Sequence, residues 1–201
     1  MKEKEIRSLD LNLEASENED RKMEIKGYAV VFNSPETYGY TEVIDPHALD
    51  SADMKDVVLR YNHNDSFIAL ARTRNNSLKL SIDSTGLMID AVLQNDISDH
   101  KNIYNAINSQ LIDKQSFAFT VEEDSYDYET DTRTILKIGK LFDVSVVDQP
   151  FYNDTSVGVA RELNNNDFLA RRKKMREEYE KHLANKKTLA EAKERLIKKL
   201  G

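Results

Sequence analysis

The sequence predicts a mainly β (α+β) fold, an antiparallel meander with one or more packed helices, followed by a C-terminal helix that protrudes from it. Three observations predict it. Short segments alternate apolar and polar residues with a period of two, and Asn, Asp, Ser, Gly or Pro bounds each of them. One window, Asp96–Ile112, changes to helical spacing. Beyond Asp167 the chain becomes a Lys-, Arg-, Glu- and Ala-rich run suited to a solvated helix.

In order, residues 1–22 form a polar, acid-rich segment with a first strand over Ile6–Leu13. Met23–Phe32 alternates and stops at the turn Asn33-Ser34-Pro35. A polar excursion leads to a short strand, Thr41–Ile44, ended by Asp45-Pro46, and His47–Asp50 then starts a helical turn. Val57–Asn62, Phe67–Thr73, Ser77–Ile82 and Leu87–Leu93 read as four more strands. Asn75-Asn76 and Ser84-Thr85-Gly86 separate the last three, with residues that tolerate positive φ. Ile103, Ala106, Ile107 and Leu111 define the helix face, with Ser98 or Asp99 as N-cap and His100 exposed in the first turn.

Gln115–Val121 is the stretch that organises the rest: Phe117 and Phe119 take one strand face, Ser116 and Ala118 the other. Glu122–Glu129 follows as a hairpin or mobile loop, then strands over Thr132–Ile138 and Leu141–Val147, closed by Asp148-Gln149-Pro150. The tail, Phe168–Leu200 behind an Asp167 cap, carries an apolar stripe too narrow for a core helix and better suited to a partner helix, with an interruption near Asn185–Thr188. The domain reading is therefore 1–22, a body at 23–161 and a tail at 162–201.

Composition excludes several chemistries. With no cysteine there is no disulfide framework, thiolate nucleophile or Cys-ligated zinc, and no cofactor is implied. His47, His63, His100 and His182 form no close metal-ligand pair. The net charge of -7 divides unevenly: residues 161–201 hold 13 Lys and Arg against 7 Asp and Glu, a balance of +6, which leaves -13 on residues 1–160. So acidic a body argues against nucleic-acid binding. No run is apolar enough for a membrane span and the N-terminus has no apolar leader, so the expectation is a protein that stays inside the cell that makes it.

Three residues carry candidate chemistry. Ser116 is either a strand serine that satisfies a neighbouring backbone group or an aimed nucleophile. His63, at a strand end beside Asn62, Asn64 and Asp65, is either a positioned base or a turn histidine. Asp143 sits in an apolar strand, where a carboxylate needs a cation or imidazole partner unless it lies on an edge facing water.

The order of these segments resembles the prohead (capsid maturation) serine proteases of tailed bacteriophages, whose β-barrel is related to the herpesvirus assemblin proteases. The resemblance spans Glu24–Arg161 and rests on Gly27–Asn33, Glu42–Pro46, Asn62-His63-Asn64, the Gly86-Leu87 hairpin, Leu111-Ile112, Ser116–Phe119, Asp143–Val147, Pro150 and Tyr152. It implies an antiparallel β-barrel of assemblin type, with base His63, nucleophile Ser116 and acid Asp143. Asp65 is the stronger alternative to Asp143, and Asp148 the weaker. Asn64, Ala118 and Asp143 depart from the family's usual Asp, Gly and Glu. The oxyanion hole would come from backbone N–H groups, helped by Arg72 or Arg74. The implied function is a serine endopeptidase of the bacterial cytoplasm that works inside the assembling prohead. Its partners would be the major capsid protein, whose scaffolding segment it removes, and other copies of itself, which it trims. An exposed Ser116 hydroxyl is expected, dispensable for folding. Two rivals stand beside this reading: a catalytically inert scaffolding protein that binds capsid subunits through the tail, and a metal-dependent hydrolase built on His63, Asp65 and His100.

Overall fold

The computed structural model describes residues 3–9, 13–17, 23–37, 40–148, 169–181, 184 and 187. Among the described residues, alternation and turn chemistry produce eleven strands: β1 (Lys4–Leu9), β2 (Glu14–Glu17), β3 (Met23–Val31), β4 (Glu36–Thr37), β5 (Thr41–Ile44), β6 (Val58–Tyr61), β7 (Ala71–Arg72), β8 (Leu78–Ile82), β9 (Gly86–Leu93), β10 (Lys114–Asp127) and β11 (Thr132–Val147). An α-helix, α1 (Ser98–Asn108), and a short 3-10 helix, Thr73–Asn75, interrupt them. The strands form two open sheets, and among the described residues neither closes into a barrel. The larger runs β1-β10-β11-β5-β4 with β6 and β7 attached through β11, and the smaller runs β2-β3-β9-β8.

Pairing is not wholly antiparallel. β11 runs parallel to β5 over Thr132–Ile135 and parallel to β6 over Asp143–Val146. One sixteen-residue strand therefore serves two short neighbours, and its far end is where β6 delivers the chain to His63. The sequence suggested two strands here, because Gly139 and Lys140 interrupt the apolar run; β11 passes through them without a break. In the same way Glu122–Asp127 is strand rather than loop, and the hairpin turn is confined to 128–131.

The core lies where Phe117 and Phe119, stacked at 4.9 Å, meet Ile25, Ile89, Ile135 and Val144. Each such buried side chain contributes about 1.5–3 kcal/mol. α1 turns Ile103, Tyr104 and Ile107 inward but leaves Leu111 exposed beyond its end. Its N-cap position is Ile97, so neither Ser98 nor Asp99 caps it, and His100 is buried rather than exposed.

Other expectations shift in detail. Phe67–Thr73 contributes only β7, and 47–51 form successive turns rather than a helix. Asn76 does take the left-handed conformation, at φ 61. Gly86 serves a different need: a Cβ there would stand 1.9 Å from the Val30 carbonyl oxygen, so glycine is required by the approach of β3.

The tail helix does not simply project. Residues 169–181 are helical and lie on the β10–β11 hairpin, where Arg171 pairs with Asp124, Arg172 and Arg176 pair with Asp131, and Tyr179 stacks on Tyr128. The Asp167 cap, the 161/162 boundary, Gln149–Tyr152, His182 and the interruption near Asn185–Thr188 fall, wholly or in part, outside the described residues.

Candidate active site

Register decides which side chains can meet. In the β10–β11 ladder Ser116 stands opposite Ser145 and Ala118 opposite Asp143, so Ser116, Ser145 and Asp143 share one face while Phe117 and Phe119 face the core. Parallel pairing sets β6 beside the same stretch of β11, Val58 against Asp143 and Tyr61 against Val146. The chain then reverses within two residues, Asn62 and His63, both at φ 52. Left-handed backbone at two consecutive non-glycine residues costs free energy, so neighbouring contacts must hold it.

Those contacts converge on Asp148. Its carboxylate accepts from the Asn62 amide at 3.0 Å and from the Tyr61 hydroxyl at 2.8 Å, while the Asn62 N–H donates to the Val146 carbonyl at 3.0 Å. The His63 N–H donates to Ser145 Oγ at 3.2 Å. The imidazole is thereby carried back over β11.

A hydrogen-bonded line results. His63 Nδ1 makes a short contact with Asp143 Oδ1, and His63 Nε2 stands 2.5 Å from Ser116 Oγ. Ser145 Oγ donates to the same Asp143 oxygen at 3.1 Å, and Lys4 Nζ stands 3.0 Å from the other, Oδ2. Burial pushes the Asp143 carboxyl up, but the hydrogen bond and charge of His63 and the Lys4 ammonium outweigh it and hold it below the usual carboxylate range. An ionised Asp143 accepts from Nδ1–H, which leaves Nε2 as the nitrogen able to take a proton from Ser116.

The line is also covered. Ser116 has 0% of its surface exposed, against the exposed hydroxyl expected, and its Oγ lies 2.7 Å from the Arg7 carbonyl on β1. On the other face of the same ladder, with Phe117 and Phe119, Arg7 and Arg133 interleave with Glu5 and Glu42 in a buried ionic cluster joined by Tyr40 and Asp124. Burial and then Glu42 push the Tyr40 hydroxyl up to about 12. Burial raises the Glu42 carboxyl too, yet Arg7 and Arg133 prevail and hold it low.

The other candidates lie elsewhere. Asp65 is exposed and pairs with Arg60 at 3.1 Å, so Asp143, not Asp65, is the carboxylate on His63. Asp143 is interior, which removes its edge-strand alternative. His100 is sealed between backbone groups, Nδ1 accepting from the Gln94 N–H at 3.1 Å and Nε2–H donating to the Ala69 carbonyl at 3.0 Å. The proposed set of His63, Asp65 and His100 does not converge, and among the described residues no group of three or more His, Asp or Glu is placed to hold a metal. Arg72 and Arg74 both engage Asp56, and His47 is an exposed turn residue beside Asp50.

Sequence reasoning did not single out Ser145, Lys4 or the Glu42 cluster. For Glu42 a signal existed: it alternates in phase with Ile44 and so lies on a buried face. For Lys4 none did, since its role depends on β1 pairing with β10.

A family model described as caudovirus prohead serine protease matches residues 9–167. Searches of curated proteins and of solved structures return no significant match.

Proposed function

The chain belongs to the caudovirus prohead serine protease family, and from that premise we propose that Ser116, His63 and Asp143 are the nucleophile, base and orienting acid of a serine endopeptidase. The observation that carries this reading is the unbroken line from Asp143 through His63 to Ser116 Oγ, 2.5 Å from Nε2. Ser116 Oγ attacks the scissile carbonyl carbon while its proton passes to Nε2, and Asp143 stabilises the imidazolium. Collapse of the tetrahedral adduct breaks the C–N bond, and His63 returns the proton to the departing amine. Water, activated by the same imidazole, then releases the acid and restores the serine. Backbone N–H groups beside Ser116 would stabilise the oxyanion, because Arg72 is held in a bidentate pair by Asp56 and Arg74 is exposed beside the same carboxylate.

The substrate we assign is the scaffolding segment of the major capsid protein, together with the chain itself, cut inside the assembling prohead. The fold we assign to the family's body is assemblin-related, with the two sheets as its halves. Co-expression with the capsid subunit, read by mass measurement of both proteins, tests these assignments. The wild type should shorten the subunit, and Ser116→Ala should leave it whole with turnover lower by about 10⁴-fold or more. Processing at the wild-type rate by that variant overturns the assignment. A second reading, an inert capsid scaffold, draws on the sealed Ser116. A serine-directed probe separates the two: labelling at Ser116 that disappears in His63→Ala favours the enzyme, and no labelling in any assembled state favours the scaffold.

A further inference from the structure

We propose that the edge of β10 now covered by β1 is the docking edge for an extended substrate peptide, and that the chain rests latent because its own N-terminal strand occupies it. This rests on the triad reading above.

The starting point is access. An alcohol oxygen with no exposed surface cannot reach a peptide carbonyl, so whatever covers Ser116 must move before reaction. A covering atom in hydrogen-bond contact is the Arg7 carbonyl oxygen, 2.7 Å away on β1. β1 is an edge strand: the sheet order begins with it, and β10 is its one partner among the described residues.

Both ends of the triad are held by this strand, each in the sense that opposes catalysis. The serine hydroxyl has a single hydrogen, and the Arg7 carbonyl competes with His63 Nε2 for it. The Lys4 ammonium stands 3.0 Å from Asp143 Oδ2 and competes for the negative charge that would stabilise an imidazolium. Neither contact touches the His63 ring, so withdrawing β1 frees the triad without dismantling it.

Withdrawal also leaves the surroundings balanced. β1 contributes one carboxylate and one guanidinium to the ionic cluster, Glu5 and Arg7, and takes both away together. Glu42 remains paired with Arg133 at 3.0 Å, and Asp124 remains on Arg133 and Arg171, so these carboxylates are not stranded. The vacated edge presents the N–H and C=O groups of alternate residues within Gln115–Thr120, the others remaining paired with β11, and an extended peptide satisfies them in the antiparallel sense that β1 uses now. In that register a peptide carbonyl arrives beside Ser116, where the Arg7 carbonyl sits. The family match begins at residue 9, so all of β1 except Leu9 lies outside it.

The chain contains no cysteine, so a disulfide can be placed at will. Ile6 and Ala118 face each other across β1 and β10, and opposed residues in such a ladder lie about 4.5–5.5 Å apart, within disulfide reach. Full-length Ile6→Cys/Ala118→Cys is oxidised or reduced, and labelling of Ser116 by a small sulfonyl fluoride is followed by mass. The oxidised form should label at least about tenfold more slowly than the reduced form, and reduction should restore the rate. In the cysteine-free chain, Lys4→Met should label several-fold faster and Lys4→Arg as the wild type does, whereas a merely structural lysine would give slower labelling on loss. Equal rates for the oxidised and reduced forms, or slower labelling of Lys4→Met, overturn the latch and leave the protease reading standing. No labelling in any form overturns the Ser116 assignment itself.

Discussion

Asp143 shows most clearly how one side chain's environment sets its chemistry. It is buried, yet Nδ1 of His63, Ser145 Oγ and Lys4 Nζ all converge on its two oxygens. Asp143→Asn keeps the shape but favours the wrong imidazole tautomer, so kcat should fall by about 10³–10⁴-fold with little change in KM. Steady-state kinetics on a capsid-derived peptide checks this. Asn62 is the second residue on which the pose of His63 depends, because its amide ties the left-handed turn to Asp148. Asn62→Ala should lower kcat/KM by about 10–100-fold while hardly changing the melting temperature, since the loss falls on the pose of His63. At this scale the sequence was informative where a residue contradicted its surroundings: an acid in the apolar run Leu141–Val147, or a histidine where β6 gives way to polar residues. It was silent where a residue's role came from a distant strand, as with Lys4 and Ser145.

Among the elements, the long β10–β11 hairpin does most of the positioning, because its ladder sets Ser116 and Asp143 on one face. The cluster at its side should be structurally expensive to disturb. Glu42→Ala leaves the buried Arg7 and Arg133 one carboxylate short, with Glu5 shared between them and Asp124 on Arg133, and should cost about 3–5 kcal/mol, a fall of roughly 10 °C or more in Tm measured by thermal unfolding. Gly86→Ala drives a methyl into the β3 backbone and should cost about 1–3 kcal/mol by the same measurement. Strands β3, β5, β8 and β9 and helix α1 were legible from period and punctuation, because each buries one face in a regular rhythm. β2 and β4 were not, since they are short and polar and exist through pairing with β3 and β5. β7 shrank to two residues because only Ala71 and Arg72 find a partner on β6.

Across the whole molecule, charge links stability to acidity. The Glu42 and Asp143 carboxyls are both held below their ordinary range in the folded state. A group depressed on folding binds protons more readily when unfolded, so its stabilisation is present above the ordinary carboxylate range and is lost as pH falls through and below it. Denaturant midpoints should therefore hold above about pH 5 and drop progressively below about pH 4, and Glu42→Gln should flatten that drop. The contacts of the tail helix are weaker, since Arg171, Arg176 and Tyr179 work at the surface. Asp131→Asn should loosen residues 169–181, seen as faster amide exchange there, and shift global stability by no more than about 1 kcal/mol.

Taken by itself, the amino-acid order determined the β class, the helix between Asp96 and Ile112, the acidic body with its basic tail, and the short list on which Ser116, His63 and Asp143 appear. Those properties follow from local rhythm and composition, which the chain carries without folding. Only the tertiary structure decided that β11 pairs in parallel with β5 and β6, that the sheets stay open among the described residues, that the tail helix lies on a hairpin, and that β1 lies over the serine. Each of these depends on which distant backbone groups satisfy one another, and a period of two is the same whichever partner supplies the hydrogen bonds.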